Sequence, residues 1–158
     1  MTSLLQTLAV EAVTFRSNRI EVVHEIGFDV SADDAFEICK DYAAFIRVML
    51  GGQGKDPAPE WIVGGPGQVG AQLRYRLLRD GQENVIVERI VELSRDASTG
   101  VCTLAWEQLS ATPKLPLRNY GCRWVLTPEP SSPDLPRCRL KWTRHFDEPM
   151  LLGVVSLA

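Results

Sequence analysis

Two titratable side chains in this sequence occupy apolar faces of predicted strands, where they could carry acid/base chemistry. Glu88 shares a strand face with Ile86 and Ile90, and His24 alternates with apolar residues in an earlier strand in the same way. Because successive side chains of a strand point to opposite faces, both groups are predicted to point with the hydrophobic set. Burial raises the pKa of a carboxyl group and suits it to proton transfer near neutral pH. A histidine and a carboxylate with separated pKa values could therefore act as acid and base on an enolisable carbonyl compound.

Each of these residues also has a purely structural interpretation. Glu88 would serve equally well in an internal ion pair with a basic neighbour such as Arg144 or Arg118. A lone histidine among aliphatic residues, such as His24, is more often a core residue than a catalytic one. Arg144 also shares an apolar strand face, where an unpaired charge is costly. We therefore expect Arg144 either to pair with Glu88 or to contact an anionic group of a ligand.

Aromatic side chains are predicted to lie on the same inward face. They are Tyr75, Trp106, Tyr120, Trp124 and Trp142. Rings with polar tips suit a planar ligand such as a polyketide or another phenolic molecule. For any single ring, however, a well-filled core is the more common explanation.

The composition is typical of a globular protein and excludes several classes of function. The chain has 158 residues, enough for one domain, with 45% hydrophobic and 23% charged residues. A net charge of -3 argues against a general nucleic-acid binder. The four cysteines are dispersed, which disfavours a metal site and predicts buried, reduced thiols. No stretch resembles a membrane span or a signal peptide, so we expect a cytoplasmic protein. The acid/base chemistry described above needs no cofactor.

The elements that must position these residues are one strand, two short helices and then a series of strands. Residues 19–30 alternate as the first strand, Ser31 is a helix cap, and residues 42–50 continue as a second helix. About six sequential antiparallel strands follow, with short connections that favour a meander. A further short helix is predicted over residues 3–13, within an N-terminal extension at 1–18. The fold class is therefore α+β, with a curved antiparallel sheet of six to seven strands and one apolar face that needs a cover.

Several motifs carry a resemblance to a known superfamily through their order and spacing. They are Val-Ser-Ala-Asp-Asp-Ala-Phe at 30–36, Gly-x-x-Gly at 67–70, Val-Glu-Arg-Ile at 87–90, Leu-Pro-Leu-Arg-Asn-Tyr at 115–120, Leu-Lys-Trp at 140–142 and Phe-Asp at 146–147. In this order, over about residues 19–148, they resemble the Bet v 1-like superfamily of START and polyketide cyclase proteins. The resemblance implies a single helix-grip domain over 1–158. In such a domain a curved sheet grips a long C-terminal helix and encloses an apolar cavity.

The sequence departs from the superfamily pattern in two places. Only eleven residues follow Asp147, so we expect the long C-terminal helix to be truncated or absent. A homodimer partner or the N-terminal extension would then cover the apolar face, unless the sequence itself is truncated. The second departure concerns the lachrymatory factor synthases of plants, which pair the glutamate equivalent to Glu88 with an inward arginine. Leu73 occupies that arginine's position here, and Arg74 is predicted to point outward.

These observations predict a cyclase, dehydratase, lyase or isomerase that acts on a hydrophobic substrate, such as a polyketide-derived molecule, in an internal cavity. Glu88 would move the proton, assisted by His24 or Tyr120. The ligand would be held by the residues already described: Leu73, Tyr75, Trp106, Trp124, Trp142 and Arg144. The alternative is a carrier or sensor of an apolar molecule, in which Glu88 and Arg144 only anchor the polar end of the ligand.

Overall fold

The computed structural model describes residues 12–16, 19–49, 58–79, 81–114, 118–130 and 137–147. Within them the chain forms eight strands and two short helices. In chain order these are β1 (Ala12–Arg16), β2 (Arg19–Phe28), α1 (Ala32–Cys39), α2 (Tyr42–Met49), β3 (Glu60–Val63), β4 (Gln72–Arg79), β5 (Gln82–Arg95), β6 (Cys102–Thr112), β7 (Arg118–Glu129) and β8 (Arg137–Asp147).

The strands form one curved antiparallel sheet in the order β1-β2-β8-β7-β6-β5-β4-β3. From β3 to β8 each strand pairs with the next one in the chain, which is the predicted meander of six sequential strands. β2 pairs with β8, so the first predicted strand lies beside the last one. The sheet therefore brings side chains from both ends of the chain onto one face.

The predicted fold class is confirmed, but the strand count is one above the expected range. The additional strand is β1, which pairs with β2 and places Ala12 and Val13 in extended structure. The predicted helix over 3–13 is thus wrong at its end, and its remaining residues lie outside the described part of the chain. β1 has the sequence Ala-Val-Thr-Phe-Arg, and its β-branched and aromatic residues suit a strand better than a helix. Pairing with β2 also satisfies backbone groups that a short isolated helix would leave to water.

The first helix begins where its sequence signals predict. The hydroxyl of Ser31 accepts a hydrogen bond from the backbone N–H of Asp34 at 3.0 Å and caps α1. Asp33 and Asp34 lie in the first turn, where a negative charge stabilises the positive end of the helix dipole. α1 buries Ala32 and Ala35 and contacts strands β6, β7 and β8. The two helices therefore cover part of the inner face of the sheet.

Aromatic rings form a continuous row in the core between these helices and the sheet. The ring centroids of Tyr42 and Trp106 are 4.6 Å apart, and those of Trp106 and Trp124 are 5.0 Å apart. Trp142 continues the row at 6.0 Å from Trp124, and Phe45 of α2 meets the edge of Trp124 at 4.5 Å. The predicted inward orientation of the three tryptophans is confirmed, with Trp142 less buried than the other two.

The outer face of the sheet is a lattice of ion pairs between exposed side chains. Its cross-strand pairs are Arg74–Glu60, Arg89–Glu107, Arg123–Glu92 and Arg139–Glu25. Arg137, Arg139 and Lys141 are also exposed. Exposed pairs of this kind each contribute at most about 1 kcal/mol, so the lattice mainly keeps the outer face soluble.

The predicted truncation of the C-terminal helix concerns residues 148–158, which lie outside the described part of the chain. α1 and α2 have eight residues each, and no described helix is long and apolar enough to cross a membrane.

Candidate functional site

Glu88 lies on β5, on the inner face of the sheet, and is almost completely buried. Its exposed fraction is 2%, which confirms the inward orientation predicted from its strand pattern. Leu73 of β4 lies directly opposite on one side, and Gln108 of β6 lies opposite on the other. Leu73 is buried, whereas Arg74 is exposed and paired with Glu60, as predicted. Leu73, at the position where an inward arginine was expected, therefore places an apolar side chain beside Glu88.

Two tyrosines hold the carboxylate of Glu88. The hydroxyl of Tyr42 in α2 donates a hydrogen bond to Oε2 of Glu88 at 2.7 Å, and the hydroxyl of Tyr75 in β4 donates a second one. Tyr75 was predicted to face inward, but Tyr42 was not predicted to belong to the site. The sequence indicates only that Tyr42 begins α2 and shares a helix face with an apolar residue, which does not predict a contact with Glu88. Glu88 is thus fixed by one helix and one neighbouring strand.

Burial dominates the electrostatics of this carboxyl group. Loss of solvent raises the pKa of Glu88 from 4.5 to about 7, against the hydrogen bonds from Tyr42 and Tyr75, which lower it. Burial and the charge of Glu88 raise the pKa of both tyrosines, so they remain protonated donors. Glu88 can therefore take up or release a proton near neutral pH, which is the property that an acid/base catalyst needs.

Tyr120 and Cys122 occupy the middle of the face, on β7. Cys122 is buried, and Tyr120 is half-buried. Burial raises the pKa of Tyr120, with smaller contributions from Cys122 and Glu88, whereas Arg144 lowers it. Burial also raises the pKa of Cys122, to about 12. Glu88 raises and Arg144 lowers the pKa of this thiol too. The Tyr120 hydroxyl and the Cys122 thiol therefore both interact electrostatically with Glu88 and with Arg144.

Arg144 and His24 form a second polar cluster at the other side of the face. Nη2 of Arg144 lies 2.7 Å from Nε2 of His24. Because a guanidinium group can only donate, Nε2 of His24 accepts this hydrogen bond and its proton is on Nδ1. The guanidinium carbon also lies 5.1 Å from the centre of the Trp142 ring, and the indole N–H of Trp142 donates to the sulfur of Cys122.

The two polar clusters share one face but remain separate. Strands β8, β7 and β6 lie between His24 on β2 and Glu88 on β5. Within the described part of the chain, neither Arg144 nor Arg118 forms an ion pair with Glu88, and its hydrogen-bond partners are tyrosines. His24 thus contacts Arg144 rather than Glu88. Of the two residues predicted to assist Glu88, Tyr120 is the one that interacts with it electrostatically.

Two surface depressions lie near the edges of this arrangement. One of about 270 Å³ is lined by Ala58, Glu60, Arg74, Tyr75, Arg76 and Val85. A second of about 220 Å³ lies between the start of α1 and the ends of β7 and β8. Tyr75 borders the first depression and also binds Glu88, so it separates the carboxylate from that surface. Among the described residues, no three histidine, cysteine or acidic side chains are grouped to hold a metal ion.

Comparisons with known proteins identify the fold. The sequence matches no protein-family model, and no curated protein matches it. Among solved structures, the chain is similar to truncated norcoclaurine synthase from Thalictrum flavum, with 18% identity, a TM-score of 0.58, and coverage of 83% of this chain and 77% of that one. The ZhuI aromatase/cyclase from a Streptomyces species is similar at 19% identity and a TM-score of 0.57, with coverage of 85% and 71%.

A third neighbour is major latex-like protein 151 from Panax ginseng. It is 12% identical, with a TM-score of 0.57 and coverage of 83% of this chain and 80% of that one. These identities are too low to transfer an activity, but the coverage extends over most of each chain. Together with the sheet order and the two helices after β2, they show that this chain has a Bet v 1-like fold, the fold of the START and polyketide cyclase superfamily.

Proposed function

We propose that this protein is an enzyme that binds a hydrophobic small molecule against the inner face of its sheet and moves a proton on it through Glu88. The reaction class is a cyclisation, dehydration, elimination or isomerisation of a substrate such as a polyketide-derived molecule. Glu88 acts as the base or acid, Tyr120 assists it, and the tryptophan row holds the planar part of the substrate. No cofactor takes part in this proposal.

The observation that carries the proposal is the state of Glu88. A carboxyl group that is 2% exposed, with a pKa of about 7, is poised to exchange a proton at neutral pH. Two tyrosine hydroxyls orient it, and apolar side chains surround it. A carboxylate kept only for stability would more often be neutralised by a cation, because an ion held in an apolar core weakens the fold.

The fold neighbours support the proposal without deciding it. One is named as a synthase and another as an aromatase/cyclase, and a Thalictrum norcoclaurine synthase variant is described in complex with a transition-state analogue. The ginseng protein is named without an activity. Because one fold serves several functions, the argument for catalysis rests on Glu88 rather than on these likenesses.

A carrier or sensor of an apolar molecule is the second candidate. It is favoured by the hydrogen bonds of Glu88, because the hydroxyl groups of two tyrosines of the protein itself satisfy the carboxylate. In that case Glu88 and Arg144 would hold the polar end of a bound molecule without reacting with it. Binding without turnover distinguishes this candidate from the enzyme.

Nitrobenzisoxazole provides a direct test, because its ring opens to a coloured cyanophenolate when a base removes the proton on the carbon next to nitrogen. We expect the protein to accelerate this reaction through Glu88 and expect Glu88→Gln to lower the rate by about a hundredfold or more. Glu107→Gln is the matched control, since Glu107 is an outer-face carboxylate paired with Arg89. If Glu88→Gln binds the probe but retains the full rate, Glu88 is not the base.

The location and assembly of the protein form a separate part of the proposal. We propose a cytoplasmic protein, because free thiols at Cys39, Cys102, Cys122 and Cys138 suit a reducing compartment. We further propose that a homodimer partner completes the cover of the inner face. We propose no role for the protein in nucleic-acid binding. Native mass spectrometry of freshly purified protein tests both the dimer and a co-purified apolar molecule, and an empty monomer would contradict both.

A further inference from the structure

Arg144 differs from the arginines of the opposite face of the sheet. The cross-strand arginines of the outer face, such as Arg74, Arg89 and Arg123, are exposed and paired with carboxylates. Arg144 points to the inner face and is half-buried. No carboxylate within the described part of the chain forms an ion pair with it. The described residues therefore provide no opposite charge for this inward positive charge on an otherwise apolar face.

The contacts of Arg144 fix its position without neutralising it. One guanidinium nitrogen donates to Nε2 of His24, and the group lies 5.1 Å from the centre of the Trp142 ring. His24 contributes an acceptor nitrogen and Trp142 an aromatic ring, and neither carries a full negative charge. The Nε of Arg144 is buried and has no hydrogen-bond partner among the described residues. The described residues therefore leave at least one strong donor of the held guanidinium group without an acceptor.

Such an arrangement is unfavourable unless a ligand completes it. A guanidinium charge that is partly removed from water destabilises the fold when no opposite charge compensates it. A buried N–H without an acceptor adds to this cost. A carboxylate compensates both, because its two oxygens match the planar fork of a guanidinium group.

We propose that Arg144, held by His24 and Trp142, binds the carboxylate of an otherwise apolar, planar ligand. This inference rests on the proposed function and narrows its substrate class to hydrophobic carboxylic acids. Trp142, the least buried of the three inward tryptophans, provides the ring surface for the apolar part of the ligand. Arg144 lies opposite Cys122 of β7, and Cys122 lies opposite Trp106 of β6, so a ligand anchored at Arg144 extends across β7 and β6 towards Glu88 on β5.

The test compares two probes that differ in charge and share an aromatic body, naphthoate and naphthamide. Their affinities are measured by calorimetry for the wild-type protein and for three variants. Arg144→Gln removes the charge and keeps much of the length, whereas Arg144→Lys keeps the charge and loses the planar fork. Arg123→Gln is the matched control, because it removes an arginine charge from the outer face of the neighbouring strand β7.

We expect the wild-type protein to bind naphthoate about tenfold or more tightly than naphthamide, since hydrogen bonds between charged groups are stronger than neutral ones. Arg144→Gln should abolish this preference by weakening the binding of naphthoate far more than that of naphthamide, and Arg144→Lys should retain part of the preference. Arg123→Gln should retain all of it. The partial preference in Arg144→Lys would show that the effect comes from the charge and not from misfolding.

Three results would overturn the inference. Equal binding of the two probes to the wild-type protein would remove the carboxylate site and leave the proposed function intact. A preference for naphthoate that persists in Arg144→Gln would assign the anion to another group. If neither probe binds, the ligand surface itself is wrong, and both this inference and the proposed function fail.

Discussion

The hydroxyl of Tyr42 in α2 donates a hydrogen bond of 2.7 Å to Oε2 of Glu88 in β5, across 46 positions of the sequence. This contact joins the helical cover to the most deeply buried acidic group described in the sheet. The Tyr42 ring also lies 4.6 Å from Trp106, so the same side chain belongs to the aromatic core. The protonation of Glu88 is therefore coupled to the packing of α2 on the sheet.

The first prediction concerns the dependence of stability on pH. The pKa of Glu88 is about 7 in the folded protein and near the ordinary 4.5 when unfolded, so the folded state binds more protons between these values. Because of this group, the free energy of unfolding should fall by about 3 kcal/mol as pH rises from about 4.5 to about 7, and should then level off. Denaturant unfolding of wild type and Glu88→Gln at about pH 5 and about pH 8 measures it.

Relative to wild type, Glu88→Gln should gain stability at the higher pH and much less at the lower one, because it lacks the buried charge. Glu107→Gln is the control, since Glu107 is paired with Arg89 on the exposed outer face. Its effect should stay within about 1 kcal/mol at both pH values. The same stability difference between Glu88→Gln and wild type at both pH values would show that Glu88 does not titrate in this window.

Local sequence patterns were sufficient to predict the inner face of the sheet. Strand periodicity placed Glu88, His24 and Arg144 on the apolar side, and the shift from Leu73 to Arg74 marked the change of face. These predictions succeeded because a strand has a fixed period of two, and a one-residue error would expose every apolar side chain. Helix α1 was equally predictable from its Ser31 cap.

Contacts between distant parts of the chain could not be predicted in this way. The hydrogen bond between Tyr42 and Glu88 depends on how α2 packs across the sheet, which no local pattern specifies. The contact between His24 and Arg144 depends on the pairing of β2 with β8, which are 120 positions apart at these residues. The sequence left the partner of Arg144 open for that reason. The predicted helix over 3–13 runs wrongly into β1 at Ala12 and Val13, because an edge strand is stabilised by its neighbour rather than by a local pattern.

The second prediction concerns the close packing of β7 against β8. A Cβ atom at Gly121 would lie 2.5 Å from Nε2 of His145 and 3.2 Å from the carbonyl oxygen of Trp106. Gly121→Ala should therefore lower the free energy of unfolding by about 1 to 3 kcal/mol, because both neighbours must move. Gly27→Ala on β2 is the control, since nothing lies within 4 Å of its added Cβ. Equal stability of the two variants would show that the strands separate at little cost.

The third prediction concerns the reactivity of the thiols. Burial raises the pKa of Cys39 to about 11 and that of Cys122 to about 12, and it also raises the pKa values of Cys102 and Cys138. Because the thiolate is the reactive form, an aromatic disulfide reagent at about pH 8 should modify the native protein about a hundredfold more slowly than the unfolded protein. Cys39 is the least buried, so Cys39→Ser should remove most of the residual rate. A thiol that reacts rapidly in the native state would contradict this burial.

The last prediction concerns the two hydroxyl groups that lower the pKa of Glu88. Tyr42→Phe removes the 2.7 Å hydrogen bond and Tyr75→Phe removes its companion, so each should raise the pKa of Glu88 above about 7. The loss of a hydrogen bond to a charged acceptor corresponds to an upward shift of about one unit. We expect it in the pH dependence of nitrobenzisoxazole opening and in the titration of the Glu88 carboxyl carbon by NMR. Tyr120→Phe should lower the rate without shifting the midpoint, whereas an unchanged midpoint in Tyr42→Phe would show that this hydroxyl does not stabilise the carboxylate.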